Sequence, residues 1–511
     1  MLRPWELKIE INRDLDVVIH LQITNKVIEE IQRGRLLPGT VLPGTRLLAK
    51  NLNVNRKTVI QAYDELIAQG WLSTEHKRGT FVAPDIPSFK HEQSHTQLPQ
   101  ENMRAPQYKM YGEPLIYEDA IPSDNIINFD DGIPDTRLIP FEIFYRAFRH
   151  ALIASSRSNR LAYSDPRGTF TLRQAIANMV NIERSLNADV ENVCIVRGTQ
   201  MGIFLAARLV SKSGDTVIVE NLCYPPARMA FQSTGANVVG VAIDRRGLIP
   251  EEVEAICKNG NVRAVYLTAH HQFPTTVMMP ADRRLKLLLL AEKYNFVIIE
   301  DDYDHEFHFT HRPMMPIASM DYGERVIYVG SMSKVLAPGL RIGYIVAHAE
   351  VIDRCAADIM LIDRQGSNVT ELAVAELLES GEIKRHIRRT VLVYNERRLL
   401  LSKLIKQHLD KYVSFVVPDG GLAMWLTVHD MVDIDALVEE ALKYEVRILA
   451  GSLFSEGNTK VQGIRLGYGN LNDAELTTGV ERLKRAFEKL ISPPPPAISK
   501  NTANTQSSAL V

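Results

Sequence analysis

Nothing in the sequence suits it to a bilayer or an oxidising compartment. No apolar run approaches the roughly 20 residues a helix needs to span a membrane. The opening Met1-Leu2-Arg3-Pro4-Trp5-Glu6 lacks the apolar core of a signal peptide. Cysteine is scarce, and Cys194, Cys223, Cys257 and Cys355 form no C-x-x-C pair, so they read as reduced structural thiols. Charge of one sign is not in excess. A net charge of -2 excludes a chain that coats nucleic acid or acidic lipid over its whole surface. No G-x-G-x-x-G opens a helix after a first strand and no Walker lysine loop is present, which disfavours the nucleotide folds. The strings His270-His271 and His305-Glu306-Phe307-His308 match no standard zinc spacing, so no metal is expected. A cytoplasmic protein without a membrane partner is the expectation.

What is present is ordinary in bulk and uneven in detail. The 511 residues, 45% hydrophobic and 23% charged, suit about three globular domains, or one large α/β unit with an appendage. From His20 to Val82 there are nine Lys/Arg and five Asp/Glu, so +4 in that stretch and -6 elsewhere. The same stretch has helical apolar spacing at Leu21, Ile23, Val27, Ile28 and Ile31, closed by Gly34 and Leu37-Pro38-Gly39. A short helix over Thr45–Leu52, a turn at Asn53-Val54-Asn55 and a helix over Arg56–Gln69 follow, the last with Gly70 at its C′ position. Two short strands, at residues 71–74 and 80–82, flank Glu75-His76-Lys77-Arg78-Gly79. Three helices and a basic two-stranded wing predict a winged helix-turn-helix (α+β).

Asn55, Arg56, Lys57 and Thr58 would sit at the N-terminus of the second helix of the turn motif. Free backbone N–H groups and the helix dipole favour phosphate there, and side chains can reach the major groove. Arg46, Lys77 and Arg78 could hold flanking phosphates. A small protein-interaction domain with surface basic residues fits the same pattern. The strings Leu42-Pro43-Gly44-Thr45-Arg46-Leu47-Leu48-Ala49, Val54-Asn55-Arg56-Lys57-Thr58-Val59, Ala62-Tyr63-Asp64-Glu65-Leu66, Gly70-Trp71-Leu72 and Gly79-Thr80-Phe81-Val82 resemble the DNA-binding domain of the GntR family of bacterial regulators. That resemblance implies double-stranded operator DNA as a partner, contacted by Arg46, Arg56, Thr58 and the wing.

Residues 1–83 are therefore expected to form the DNA-binding domain, and 84–125, polar and without a sustained period, a linker. Residues 126–491 alternate short apolar strands with amphipathic helices, which predicts a mostly parallel sheet covered on both faces. The Ser/Thr/Asn-rich residues 492–511 read as a disordered tail.

Ligands of such sheets gather at the carboxyl ends of the strands. The apolar Val326-Ile327-Tyr328-Val329 leads into Gly330-Ser331-Met332-Ser333-Lys334, with Arg341 beyond. A neutral lysine amine attacks an aldehyde to form an imine, and Ser331, Ser333 and the bidentate fork of Arg341 can meet a phosphate. Imine plus phosphate on one ligand suggests pyridoxal 5′-phosphate (PLP). Arg197-Gly198-Thr199-Gln200, a glycine turn into a helix expected over Met201–Leu209, offers amides for the phosphate. Tyr224 could stack on a planar ring, and a carboxylate of Glu300-Asp301-Asp302-Tyr303-Asp304 could hold a pyridine nitrogen protonated. Taken singly, each has a plainer reading as a turn, a core residue or a solvated acidic loop; all four suit one ligand.

This region resembles the fold-type I aminotransferases in Tyr163-Ser164-Asp165-Pro166-Arg167-Gly168, His271-Gln272-Phe273-Pro274-Thr275, the acidic run, Ser331-Met332-Ser333-Lys334, Leu336-Ala337-Pro338-Gly339-Leu340-Arg341 and Ile464-Arg465-Leu466-Gly467. Joined to a GntR-type domain, this is the layout of the MocR subfamily of PLP-binding regulators. The resemblance implies Lys334 as the Schiff-base lysine, Asp301 at the pyridine nitrogen, Tyr303 near the ring hydroxyl and Tyr224 on the ring face. It also implies Thr199, Ser331, Ser333 and Arg341 around the phosphate, Arg465 gripping an amino-acid carboxylate, and a homodimer. Where aminotransferases carry Asn-Pro-Thr-Gly, this chain has Phe273-Pro274-Thr275-Thr276. Phe273 is usual for the regulators and lacks the Asn amide that transamination uses, while Thr276 departs from the usual glycine. The leading reading is a regulator that senses PLP or an amino compound reacting with Lys334-bound PLP. A working aminotransferase with an appendage is the second reading, and a cofactor-free repressor whose large domain only dimerises is the third.

Overall fold

The computed structural model describes residues 9–87, 125–129, 132–157, 161–310, 314–321 and 324–491, which fall into two units on either side of residues 88–124. The expected linker lies mostly, and the expected tail wholly, outside the described residues. No helix among them is long and apolar enough to cross a membrane.

In the first unit, α1 (Ile19–Gln32), α2 (Thr45–Leu52) and α3 (Arg56–Ala68) precede the antiparallel pair β1 (Leu72–Glu75) and β2 (Gly79–Val82). Apolar side chains at helical spacing meet in one core of Ile23, Val27, Ile31, Leu48, Val59, Ala62 and Leu66. Tyr63 joins it and spends its hydroxyl on the Pro43 carbonyl at 2.8 Å, which fixes the approach to α2. Asn55 caps α3 by accepting from the Lys57 backbone N–H at 2.9 Å. The three helices and the wing lie where the periodicity predicts them, within two residues at each end.

The second unit is built on a sheet of β3 (Val193–Val196), β4 (Thr216–Glu220), β5 (Asn237–Val241), β6 (Val262–Leu267), β7 (Val297–Asp302), β8 (Val326–Ser331) and β9 (Gly343–Val346). The order is β3-β9-β8-β7-β6-β4-β5. Pairing is parallel except at β9, which runs antiparallel to both neighbours. The strands read as near-continuous apolar runs because helices cover both faces, leaving separate apolar clusters on the two sides. A smaller antiparallel sheet, β10 (Val413–Phe415), β11 (Ala423–Val428), β12 (Leu449–Ala450) and β13 (Gly463–Gly467), packs with the helix Asp473–Ile491 in a further cluster.

Candidate functional site

Strand alternation decides which acidic residue of β7 does what. Successive side chains point to opposite faces, so Asp301 shares a face with Ile299, and Asp302 shares the other with Glu300. Tyr266 on β6 pairs in register with Ile299, which puts its hydroxyl on the Asp301 side, where it donates to Asp301 Oδ2 at 2.8 Å. Asp301 Oδ1 is buried with no hydrogen-bond partner. Burial pushes the Asp301 carboxyl up to about 7, against the pull of the Tyr266 hydroxyl and the charge of Lys334. Lys334, just past the end of neighbouring β8, donates from Nζ to the Gly132 carbonyl at 2.9 Å.

The second cluster is a cradle. The helix after β3 begins at Gly198 and runs to Val210, so Thr199 and Gln200 belong to its first turn. This corrects the expected start at Met201. Gly198 has φ +75°, and a Cβ there would fall 3.0 Å from the Arg341 guanidinium carbon. A Cβ on Gly343 would fall 2.7 Å from the Gly198 carbonyl carbon, so glycine at both places lets Arg341 and the helix start close on one spot. Arg341 Nη2 donates to the Arg197 carbonyl at 2.8 Å. Ser331 Oγ accepts from the Ser333 N–H at 3.1 Å, and Ser333 Oγ is buried without a partner. Gln200 turns its amide to the Pro226 carbonyl at 3.3 Å.

A third group surrounds Phe273. Tyr224 meets it edge-on with ring centroids 5.4 Å apart, Tyr303 at 6.0 Å and Phe454 at 5.3 Å. The Arg465 guanidinium lies 4.5 Å from the centre of the same ring, and its Nη1 donates to the Pro274 carbonyl at 2.6 Å. Arg465 is 1% exposed, so its charge is buried beside the aromatic face and that carbonyl. Tyr303 donates its hydroxyl to the His271 carbonyl at 3.1 Å. The Phe273 N–H donates to Thr268 Oγ1 at 2.8 Å, and Thr268 donates in turn to Glu220 Oε2 at 2.9 Å. Burial pushes the Glu220 carboxyl up to about 7. Thr276 adopts φ +63°, the left-handed backbone in which a glycine is at ease, so the turn keeps its shape with a β-branched residue in it.

Tyr266, Gly132, Glu220 and Phe454 were not among the expected residues. Only Tyr266 left a signal, the single aromatic in a strand that neighbours the acidic one. Gly132, Glu220 and Phe454 depend on contacts between segments far apart in the chain.

In the first unit Arg46, Asn55, Arg56, Lys57, Lys77 and Arg78 are exposed, and Thr58 is half-buried. Arg56 Nε lies 3.4 Å from Thr45 Oγ1, across the turn between α2 and α3. Arg78 is held in an ion pair with Glu75 of its own wing, which offsets its charge. Lys77 takes the left-handed position of the wing turn at φ +59°.

PLP requires an acid for its pyridine nitrogen, an amine for its aldehyde and donors for its phosphate. The buried, unpartnered Asp301 Oδ1, the Lys334 amine and the glycine-lined cradle under Arg341 meet those requirements, so the residues fit the group.

The class I and II aminotransferase family matches residues 124–483, and the gntR family of bacterial regulatory proteins matches residues 19–82. The probable rhizopine catabolism regulatory protein MocR of Rhizobium meliloti is 30% identical over 94% of this chain and 96% of its own. The HTH-type transcriptional regulator TauR of Rhodobacter capsulatus is 30% identical over 91% and 96%. Among solved structures, LysN, an α-aminoadipate aminotransferase of Thermus thermophilus complexed with N-(5′-phosphopyridoxyl)-L-leucine, aligns with a TM-score of 0.67 at 27% identity over 72% of this chain and 93% of its own. Aminotransferases of this fold are PLP-dependent, and the relatives that span the whole chain are named as transcriptional regulators. With a gntR-type DNA-binding domain ahead of a class I and II aminotransferase domain, the chain belongs to the MocR-type regulators of the GntR family.

Proposed function

We propose that this protein is an operator-binding transcriptional regulator whose large unit, residues 126–491, holds PLP on Lys334 and responds either to PLP itself or to an amino compound that reacts there. The observation that carries the reading is Asp301: a buried carboxyl with one oxygen held by Tyr266 and the other left for a ligand N–H. Bound PLP supplies an aldehyde for a primary amine and a ring that takes up an electron pair. With PLP bound, Lys334 would present the amine, Asp301 would hold a proton at the ring nitrogen, Tyr224 would cover a ring face and Tyr303 would serve the ring hydroxyl, while Gly198, Thr199, Gln200, Ser331, Ser333 and Arg341 would hold the phosphate. Arg465 pairs with the carboxylate of an amino effector in a bidentate fork.

Phe273 favours a sensor over a turnover enzyme. Its ring fills the place where aminotransferases keep an asparagine amide, so the site binds without that donor. The retained Lys334, Asp301 and Arg465 leave room for a slow transamination half-reaction, and the aromatic-amino-acid aminotransferase 1 of Thermococcus litoralis is 26% identical over 72% of this chain.

On DNA, the α3 N-terminus with Asn55, Arg56, Lys57 and Thr58 enters the major groove, and Arg46, Lys77 and Arg78 hold phosphates. A homodimer reads two half-sites. Exposed Phe141, Tyr145 and Tyr163 in the large unit are apolar surface that a second copy would cover. The deciding experiment is a DNA-shift titration on the promoter nearest the gene, with and without PLP, for wild type and Lys334→Ala. PLP is expected to change the wild-type midpoint at least threefold and the variant's not at all. Equal midpoints for wild type in both conditions, with steady turnover of an amino donor and a 2-oxo acid, would make the protein an aminotransferase.

A further inference from the structure

Met332, two residues before Lys334, lines a cavity of about 210 Å³ that the PLP reading does not use. The cavity lies among the last two turns of the helix Phe170–Arg184, the end of the helix Asn368–Glu379 and the start of the helix Glu382–His408. Met179, Met332, Leu378, Ile383 and Ile387 make its wall mostly apolar, and the two flexible methionines let that wall adapt to an occupant. None of the residues proposed to hold PLP lines it.

The polar groups set the charge of what the cavity can hold. Glu306 lines it while being only 7% exposed. Its Oε1 accepts from Arg184 Nη2, and its Oε2 meets no donor among the described residues. Arg184 is fully buried, donates to the Tyr328 hydroxyl at 2.7 Å and does not line the cavity. A carboxylate fixed by one guanidinium keeps acceptor capacity for a second donor. The other charged groups on the wall are Glu183, Glu379 and Lys384, with Lys384 Nζ 3.3 Å from Glu183. Three carboxylates against one lysine leave the cavity negative even with Arg184 counted in. The helix ends agree, because two C-termini, which favour cations, border it against one N-terminus. A bare metal ion is poorly served there, since an apolar wall cannot replace its shell of oxygen ligands.

From these features we propose that the cavity is a second small-ligand site, taking an ammonium ion with a compact apolar body whose N–H donates to Glu306 Oε2. The apolar body would pack on the methionines and isoleucines, and the charge would meet the carboxylate in a site largely withdrawn from water. The occupant would also press on Met332, whose carbonyl accepts from the Val335 and Leu336 N–H groups at 3.2 and 2.9 Å. It would therefore bear on the turn that carries Lys334 without entering the PLP site.

The test is isothermal titration of the full-length protein with N,N-dimethylhexylammonium. This tertiary ammonium keeps the charge and one N–H but forms no imine, so it reads the cavity apart from any chemistry at Lys334. Saturation near one equivalent is expected, with hexanol, its neutral counterpart, bound about tenfold more weakly or worse. Glu306→Gln should weaken the ammonium about tenfold. Should that variant fail to fold, Met179→Trp carries the test, since it fills the space and leaves Glu306 and Arg184 in place; about a tenfold loss at an unchanged melting temperature is expected. Lys334→Ala should bind as wild type does. No saturation of wild type by about 10 mM, equal affinity for hexanol, or full affinity in folded Met179→Trp would overturn the site. Binding lost in Lys334→Ala would also overturn it, placing the ammonium at the PLP site and leaving the sensor reading intact.

Discussion

At the scale of single residues, the large unit depends on buried charges whose partners lie far along the chain. Asp135 is 5% exposed; Arg397 donates to its Oδ2 at 2.8 Å and Arg137 to its Oδ1 at 2.8 Å. Burial alone would raise this carboxyl, yet the two guanidinium groups hold it below the usual carboxylate range. A folded-state value below the unfolded one means the stabilisation is fully present above about pH 4 and is lost as pH falls through the folded value. Asp135→Asn leaves Arg397 buried without its counter-charge and is expected to destabilise the large unit by about 3 kcal/mol at pH 7. Urea unfolding of wild type and variant at neutral pH and near pH 3 checks both parts, since the gap between them should narrow on acidification. Neither partner is visible in the sequence: Asp135 and Arg397 are 262 residues apart, and only the fold joins them.

At the scale of elements, the outcome differs between the units for a physical reason. The helices of the first unit were legible because each buries one apolar stripe and ends at a glycine or asparagine turn. The central strands were legible as apolar runs, but β9, antiparallel among parallel neighbours, carries no mark of direction in its composition. The candidates proposed for PLP could be picked out because they lie at the exits of strands, next to turns. Asn55 shows an element-scale role beside a proposed interface role. Its side chain caps α3, and it is exposed at the end proposed to meet DNA. Aspartate caps a helix as well as asparagine does and suits the helix dipole, so Asn55→Asp should leave the melting temperature of the unit unchanged within about a degree. The same change sets a negative charge against DNA phosphates and is expected to weaken operator binding about tenfold at low salt. Loss of both stability and binding would instead mean that the cap alone accounts for Asn55.

For the whole molecule, the two units matter to each other only through a coupling free energy. If PLP, or an amine at Lys334, changes operator affinity by some factor, operator DNA must change the affinity of that ligand by the same factor. A typical coupling of about 1–3 kcal/mol corresponds to roughly 5–150-fold, well within what titration resolves. The equality does not depend on how the signal travels, so it tests the sensor reading without any assumption about the motion. Isothermal titration of the apoprotein with PLP, alone and saturated with a short operator duplex, should therefore return two dissociation constants whose ratio matches the shift in DNA-binding midpoint caused by PLP. Lys334→Ala should bring both ratios to one together. A ratio on one side without its counterpart on the other would mean that PLP alters the amount of folded or dimeric protein and not the operator-bound state.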